Sequence, residues 1–526
     1  MIIKRYSKQD TSILKGFAII CICLHNFFHY LSPSPGENEF YFSLNHINNF
    51  FSQISETPAE FVNLIFSYLG HYGVQIFIFI SGYGLAVSMG KQEKNWLNFV
   101  VDRLVKLYPL LLTALIFYIL YYIVMYDSFP WNVYFEEMKY KLFFIHTLIP
   151  KQGTSVNGPW WFFALILQLY ILFPALFKFI KKYKIKAFFI LLLFSYAWIF
   201  ISQYLFKDID KLYLLQNFPG HIPEFCLGIL LAFNKDKKIS NIVFFVAIVI
   251  FCLGNFYKIF FPFTFLAVTI MFVFAYQFFK NIPIRKNITK KFLTHFGEIS
   301  MTLFAVHGFL RAPFITLAEQ SLNSPWGHIY AALLFFVTVY FLSFAAARMY
   351  DLLLIVFNKI RLPEKHNKLT QIISRTLQIL LFAMFVYLIY YYVSQSKSTN
   401  TEQIVDKEDV VDNMIVEKDC VYNTFANIKI NKKYKTLKIE GSMDLKNMNP
   451  KDKLPPIVIE IKDVLWDKVY IPEENNTSDF NNCTFKYEYY CPFIKNLKNK
   501  DVKLYFWNTR KSNIELKNID VSIIGN

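Results

Sequence analysis

The first apolar segment carries side chains that are chemically active and costly to bury in a membrane. Lys15 lies near its start, and His25 follows ten residues later. At 1.5 Å per residue of helix, His25 lies about 15 Å beyond Lys15, near the middle of a bilayer. Because an imidazole accepts a proton at neutral pH, we predict that His25 is a general base. The alternatives are a helix-to-helix hydrogen bond for His25 and snorkelling of Lys15 to the headgroups.

Polar side chains also interrupt later apolar segments. All ten histidines precede residue 394, and His307 lies inside an apolar segment, as do Gln168 and Glu224. A charged group at the centre of a bilayer costs roughly 2.5–3.5 kcal/mol on insertion scales, so such groups indicate function by default. For Glu224, stabilisation by a helix dipole is an equally good explanation.

The composition explains why these groups must lie in lipid. Of 526 residues, 55% are hydrophobic, 19% aromatic and 18% charged, which excludes a single soluble domain. The net charge is +17, but the excess of cations precedes residue 394, in short connections between apolar segments. The positive-inside rule accounts for cations placed in this way. We therefore expect membrane lipid as a partner and no nucleic acid.

Eleven apolar segments predict an all-α polytopic membrane protein with a small C-terminal β-rich domain. The first segment lacks a small-residue cleavage site, so it is interpreted as a retained helix. The sixth is short and begins near Pro223, which favours a half-helix or a tilted helix. The predicted helices cover residues 11–31, 65–89, 104–126, 161–179, 187–206, 221–233, 242–258, 261–279, 299–319, 329–357 and 376–393.

The charges between these helices predict the topology. The N-terminus and every second connection after it carry 26 Lys and Arg residues, whereas the alternate connections carry six. This asymmetry places the N-terminus in the cytoplasm and the C-terminal domain outside it, in a multi-pass membrane protein. The predicted domains are a membrane core, 1–357, a cytoplasmic connection with the eleventh helix, 358–393, a linker, 394–412, and an extracytoplasmic domain, 413–526.

The tail alternates polar and apolar residues with the period of β-strands at 434–440, 457–464, 502–507 and 519–524. Its cysteines are Cys420, Cys483 and Cys491. Outside the cytoplasm one pair of them can form a disulfide and leave the third free. The four other cysteines fall in apolar segments as small hydrophobes, and no metal-ligand spacing occurs, so no metal is predicted.

Five motifs, in this order, resemble the blocks of the membrane acyltransferase-3 family over residues 13–357. They are Lys15 and Gly16 with His25, residues 73–83, residues 103–109, residues 160–162 with 168–170 and Pro174, and residues 296–300 with Leu303 and His307.

The resemblance implies transfer of an acyl group, commonly acetyl, from cytoplasmic acyl-CoA to a hydroxyl of an extracytoplasmic glycan or lipid-linked sugar. It implies a core of about ten helices, with an eleventh leading to an external domain. Acyl-CoA is then a substrate, and no permanently bound cofactor is expected. The implied catalytic residues are His25, Glu224 and His307; Lys15, Arg103 and Lys106 bind the donor, and His29, Trp161 and Gln168 the acceptor.

The sequence departs from the family in two respects. Nine residues separate Lys15 from His25, where the family has arginine, ten residues and histidine, so the two side chains lie about 80° apart on an ideal helix. The tail also lacks the Gly-Asp-Ser block of the fused hydrolase-like domains, and we assign it no second reaction.

Several of these assignments also have a purely structural explanation. The positive-inside rule alone accounts for Arg103 and Lys106, and a helix-to-helix hydrogen bond accounts for His307. An interfacial aromatic belt accounts for Trp160 and Trp161, and we favour this interpretation for Trp160. A glycan exporter without chemistry, or an inactive anchor that displays the tail, would suit the same helices.

Overall fold

The computed structural model describes residues 2–129, 131–205, 214–233, 237–280, 287–359, 375–381, 383, 386–387, 402–403, 410–416, 422–430, 437–446, 457–461, 465–469, 483–491, 500–507 and 514–525. The chain forms two compact units, which divide between Ala383 and Met384. The first is a bundle of apolar helices, and the second consists of β-strands.

Fifteen α-helices follow one another in the described part of the first unit. They are α1 Lys8–Phe28, α2 Leu44–Glu56, α3 Phe61–Leu69, α4 Gly73–Lys91, α5 Trp96–Tyr126, α6 Trp131–Leu142, α7 Trp161–Tyr183, α8 Ile185–Leu205, α9 Phe218–Phe233, α10 Asn241–Phe256, α11 Thr264–Lys280, α12 Asn287–Glu298, α13 Ser300–Leu310, α14 Ala312–Gln320 and α15 Pro325–Asn358. Two short strands, β1 (Ile2–Ile3) and β2 (Lys237–Lys238), pair antiparallel.

Helix α1 lies at the centre of the bundle. It begins with a capping box in which Ser7 and Asp10 bond each other's backbone N–H groups. The Asp10 carboxylate also pairs with Lys280 of α11 at 2.6 Å. Helix α1 packs against α3, α4, α12 and α13, so a residue on its face reaches four other helices.

Among the described residues, seven helical stretches are long and apolar enough to cross a membrane, or eight if the bent pair α13–α14 counts as one span. Ten of the eleven predicted segments coincide with helices, but α9 and α10 have only 16 residues each. The eleventh segment lies mostly outside the described residues, although 375–381 are helical. The predicted span 299–319 is bent by 53° after Leu310.

Three helices, α2, α6 and α12, lie in the connections between the predicted membrane segments. Their residues alternate polar and apolar faces instead of forming apolar runs, for example Ile47 and Phe50, which are buried on α2 between exposed residues. An amphipathic helix buries one side on the bundle without spanning lipid, so a search for apolar runs misses it.

The second unit contains two antiparallel sheets. One has the order β5 (Tyr422–Ile430), β10 (Lys500–Trp507), β7 (Ile457–Ile461), β8 (Leu465–Val469). The other has the order β3 (Glu402–Gln403), β11 (Ile514–Gly525), β6 (Leu437–Lys446), β9 (Cys483–Cys491), and β4 (Met414–Val416) also pairs with β11. Alternating residues of β10 are buried, including Val502, Leu504 and Phe506. The four predicted strands correspond to β6, β7, β10 and β11.

The sheet register limits the predicted disulfide. Cys483 and Cys491 stand at the two ends of the single strand β9, so their backbones are about 26 Å apart at 3.3 Å per residue. A disulfide requires Cα atoms less than about 7 Å apart. These two cysteines therefore do not pair with each other, and Cys420 lies outside the described residues.

Candidate active site

His25 lies in the last turn of α1 and is only 5% exposed. Its Nδ1 lies 3.0 Å from the carbonyl oxygen of Ser67 and 3.2 Å from that of Phe66, both on α3. A carbonyl oxygen only accepts, so Nδ1 carries the hydrogen and donates it. In the neutral ring, Nε2 then keeps its lone pair. This tautomer is the one that a general base requires.

A glycine allows the next element to approach His25. Gly70 begins the single 3₁₀ turn Gly70–Tyr72 between α3 and α4. A Cβ at this position would lie 2.7 Å from the His25 Cβ and 2.8 Å from the Cys21 carbonyl oxygen. The absence of a side chain therefore lets this turn pack directly on α1, which brings His71 to the buried base.

Three imidazoles and one carboxylate meet at this end of the bundle, and we name His25, His29, His71 and Glu37 the histidine cluster. The ring centres of His29 and His71 lie 5.4 and 5.5 Å from that of His25. His71 is 1% exposed. Glu37, in the connection after α1, approaches His29 with 2.6 Å between Oε2 and Nδ1. Basic and acidic groups thus surround a base that is nearly sealed from solvent.

The carboxylate of Glu37 is ionised in this environment. Burial by itself favours the neutral acid, but His29, His25 and His71 outweigh it and lower the pKa of Glu37 to about 2. Burial, together with Glu37, raises the pKa of neighbouring Glu39 well above its ordinary value. Glu37 therefore supplies negative charge to the histidine cluster.

The same groups bear on metal binding. One ligand atom from each of His25, His29 and Glu37 lies within 4.8 Å of the others. Ligand atoms around a tetrahedral zinc ion, bound at about 2.0–2.1 Å, stand roughly 3.3 Å apart. The 2.6 Å between His29 Nδ1 and Glu37 Oε2 is shorter than this separation, so the two atoms contact each other directly. The arrangement is that of a carboxylate in contact with an imidazole beside a base.

His307 occupies the last turn of α13 and is fully buried. Its Nδ1 donates to the carbonyl oxygen of Phe304 at 2.9 Å. Its Nε2 is buried without a hydrogen-bond partner in the described part of the chain. Like His25, it therefore presents a free ring nitrogen inside the bundle.

Glu224 belongs to a second polar group, on α9. Its Oε1 lies 3.1 Å from His221 Nδ1, and His221 Nε2 donates to the Leu215 carbonyl oxygen at 2.7 Å. With Nε2 protonated, the pair is either imidazolium with carboxylate or imidazole with carboxylic acid, so its net charge is zero in both cases. Trp161 stacks on His221, with ring centres 5.9 Å apart. Glu224 thus orients an imidazole, but it is that of His221 and not His25.

Gln168, another predicted acceptor residue, is held by protein partners, and Trp160 is enclosed by protein. Gln168 donates from Nε2 to Thr147 Oγ1 at 3.1 Å and to Asn217 Oδ1 at 2.9 Å, and it accepts from the Phe218 N–H at 2.9 Å. It therefore ties the connection before α7 to the start of α9. Trp160 is fully buried and donates to the Ala305 carbonyl oxygen at 3.0 Å. The aromatic-belt interpretation of Trp160 is wrong, because its ring faces α13 and not lipid.

The predicted donor-binding cations lie toward the opposite end of the bundle. Lys15 is half-buried on the first half of α1. Helix α4 starts beside α1 near His25 and ends at Lys91, so α5 begins at the far end and carries Arg103 there. Arg103 lies 5.2 Å from the Phe99 ring centre, and its Nε has no hydrogen-bond partner in the described region. Lys106 is exposed.

A small cavity lies between the two ends and is entirely apolar. One helical turn separates Ile22 from His25 and Phe304 from His307, and neither histidine lines the cavity. Its lining residues are Ile22, Val74, Phe77, Phe162, Met301 and Phe304.

Sequence reasoning gave no role to two members of the histidine cluster, Glu37 and His71. Glu37 stands in a polar connection whose pattern does not reveal that it returns to α1. For His71 a signal did exist, since Gly70 and Gly73 flank it and small residues mark close helix contacts in membranes.

The comparisons with known proteins agree with the motifs. A family model described as an acyltransferase domain, Acyl_transf_3, matches residues 11–348, which include every residue discussed in this section. No curated protein and no solved structure matches the chain. Since the match covers more than half of the chain, the protein belongs to the acyltransferase-3 family.

Proposed function

We propose that the protein is an integral membrane O-acyltransferase of the inner membrane. It moves an acyl group, with acetyl expected, from cytoplasmic acyl-CoA to a hydroxyl of a cell-envelope glycan or a lipid-linked sugar. The observation that carries this proposal is the tautomer of His25, whose Nδ1–H is held by the carbonyl groups of Phe66 and Ser67 while Nε2 stays free. A buried imidazole fixed in this way is poised to take a proton from an alcohol.

The reaction conserves protons within the site. Nε2 of His25 takes the proton of the acceptor hydroxyl as its oxygen attacks the thioester carbonyl carbon. The carbon–sulfur bond then breaks, and the imidazolium returns the proton to the leaving thiolate, so an ester and a free thiol result. Glu37 does not take the proton; its negative charge stabilises the imidazolium, as a carboxylate does in a Ser-His-Asp triad.

The two ends of the bundle have different roles in this proposal. Lys15, Arg103 and Lys106 bind the CoA phosphates on the cytoplasmic side, since cations match phosphate oxygens. The acyl group then passes between the helices along α1 to His25, which lies in the last turn of that helix. The histidine cluster then receives the acceptor from outside the cytoplasm.

Purified protein incubated with labelled acetyl-CoA and isolated envelope glycans tests the function. An acyltransferase consumes the donor and labels the glycan, whereas an exporter consumes none. We expect His25→Ala to reduce labelling at least 100-fold at normal expression in the membrane, since general-base catalysis contributes about 10²–10⁴-fold. His295→Ala is the matched control, because this histidine on α12 bonds Tyr340 instead of the cluster. Full labelling by His25→Ala removes the base assignment.

A further inference from the structure

A cation stands at the break between α13 and α14, beside the histidine cluster. The two helices meet at 53°, and Arg311 is the residue between them. Its guanidinium carbon lies 4.0 Å from the centre of the Tyr30 ring. Tyr30 in turn contacts His29, with 4.9 Å between ring centres. Arg311 is therefore a neighbour of the groups to which we assign the acceptor chemistry.

The guanidinium has free donors. Stacking on Tyr30 covers a face of the guanidinium plane but leaves the N–H groups at its edge available for a planar anion. No described carboxylate forms an ion pair with Arg311, and its Nη1 is buried without a hydrogen-bond partner in the described part of the chain. A half-buried cation with no anion in the described part of the chain is costly, so a ligand that brings negative charge is favoured.

A second group without a partner faces the same region. His307 lies in the last turn of α13, one helical turn before Arg311. Its buried Nε2 makes no hydrogen bond to described residues. Buried polar atoms are nearly always hydrogen-bonded in folded proteins, so two such atoms near one base indicate a site for a polar ligand.

We propose that Arg311 binds an anionic group of the acceptor, a phosphate or a carboxylate, and that the enzyme prefers acidic acceptors. This proposal rests on the proposed function and specifies its substrate class. The anion comes either from the phosphates of a lipid carrier or from an acidic sugar of the glycan. In both cases the paired N–H groups of the guanidinium hold the acceptor in an orientation in which a sugar hydroxyl reaches His25.

The test compares acceptors that differ only in charge. Wild-type protein in zwitterionic nanodiscs receives acetyl-CoA with a neutral oligosaccharide, its uronate analogue or its phosphorylated analogue. We expect a KM about 10- to 100-fold lower for an acidic acceptor than for the neutral one, as a charge-assisted hydrogen bond provides. Arg311→Gln should equalise the KM values, and Arg311→Lys should keep part of the difference. The exposed Arg348 provides the control Arg348→Gln, which should keep all of it.

The analogue that shows the preference identifies the source of the anion. Equal KM values in the wild type, or an unchanged preference in Arg311→Gln, would overturn the proposal, as would a KM that follows added anionic lipid instead of acceptor charge. A measurement of anion binding tests the proposal without catalysis. Calorimetry with inorganic pyrophosphate and with glucuronate should show binding of one of them to the wild type, weakened at least tenfold in Arg311→Gln. Absence of transfer with intact anion binding would refute the proposed function alone.

Discussion

Replacing Glu37 by glutamine removes a negative charge from the histidine cluster and keeps the shape of the side chain. The pKa of Glu37 falls from 4.5 to about 2 because of the neighbouring imidazoles, a difference equal to about 3 kcal/mol of interaction. The side chains of His29 and Glu37 are 30% and 15% exposed, so solvent screens this interaction only in part. By linkage, the same energy favours a proton on the imidazoles.

The sign of the pH effect follows from this direction. A lowered pKa means that Glu37 stabilises the fold above pH 4.5 and that this stabilisation is lost as the pH falls toward about 2. Between pH 5 and 9 the carboxylate is thus ionised throughout. His29 accounts for the largest part of this energy and His25 for a smaller one. With about 1 kcal/mol acting on His25, Glu37→Gln disfavours its imidazolium form enough for about a fivefold loss in kcat/KM, and the acidic limb of the rate profile moves about 0.7 pH units lower.

The assay is the pH dependence of acetyl transfer from pH 5 to 9. Glu37→Asp should restore most of the rate, since it returns the charge. The matched control is Glu60→Gln, because Glu60 pairs with His328 at 3.0 Å and belongs to no part of the cluster. A Glu37→Gln enzyme whose rate falls with an unchanged profile would refute the electrostatic reasoning and leave Glu37 a structural role only.

Two further substitutions test the packing beside His25 and the burial of Lys141. Gly70→Ala places a Cβ 2.7 Å from that of His25, so we expect transfer activity to fall at least tenfold, while Gly84→Ala, which meets nothing within 4 Å, stays active in the same assay. Burial lowers the pKa of Lys141 to about 7, so the unfolded chain binds more protons between pH 7 and about 10, and stability rises with pH in that window. Thermal unfolding at pH 7 and 9 should show this rise, and Lys141→Met should abolish it; an equal rise in the variant contradicts the assignment.

The sequence predicted the helices that are apolar along their whole length and missed those that have a polar and an apolar face. Apolar runs gave ten of the helical segments because lipid demands such runs. Helices α2, α6 and α12 satisfy only one buried face each. The bend after Leu310 lies where Pro313, in the first turn of α14, removes a backbone N–H donor from a continuous helix.

For the site, the sequence found the groups on helices and missed their partners from connections. His25, His29 and His307 stand out because imidazoles are expensive in lipid. Glu37 and Arg311 join the site only because the folded chain brings Glu37 to His29 and Arg311 to Tyr30. The sequence named no partner for Glu224, and the structure gives it His221, three residues away on its own helix.

The contact between α4 and α9 limits how this bundle can move. Gly82 approaches the Phe225 carbonyl oxygen, and Gly228 approaches that of Phe79, so closely that a Cβ at either glycine would lie 2.2 Å from the oxygen. Two backbones in reciprocal contact lose their attraction as soon as they separate by an ångström or so. These helices therefore travel together as a single stiff block, and a sugar chain or lipid carrier must enter by displacing other walls of the bundle.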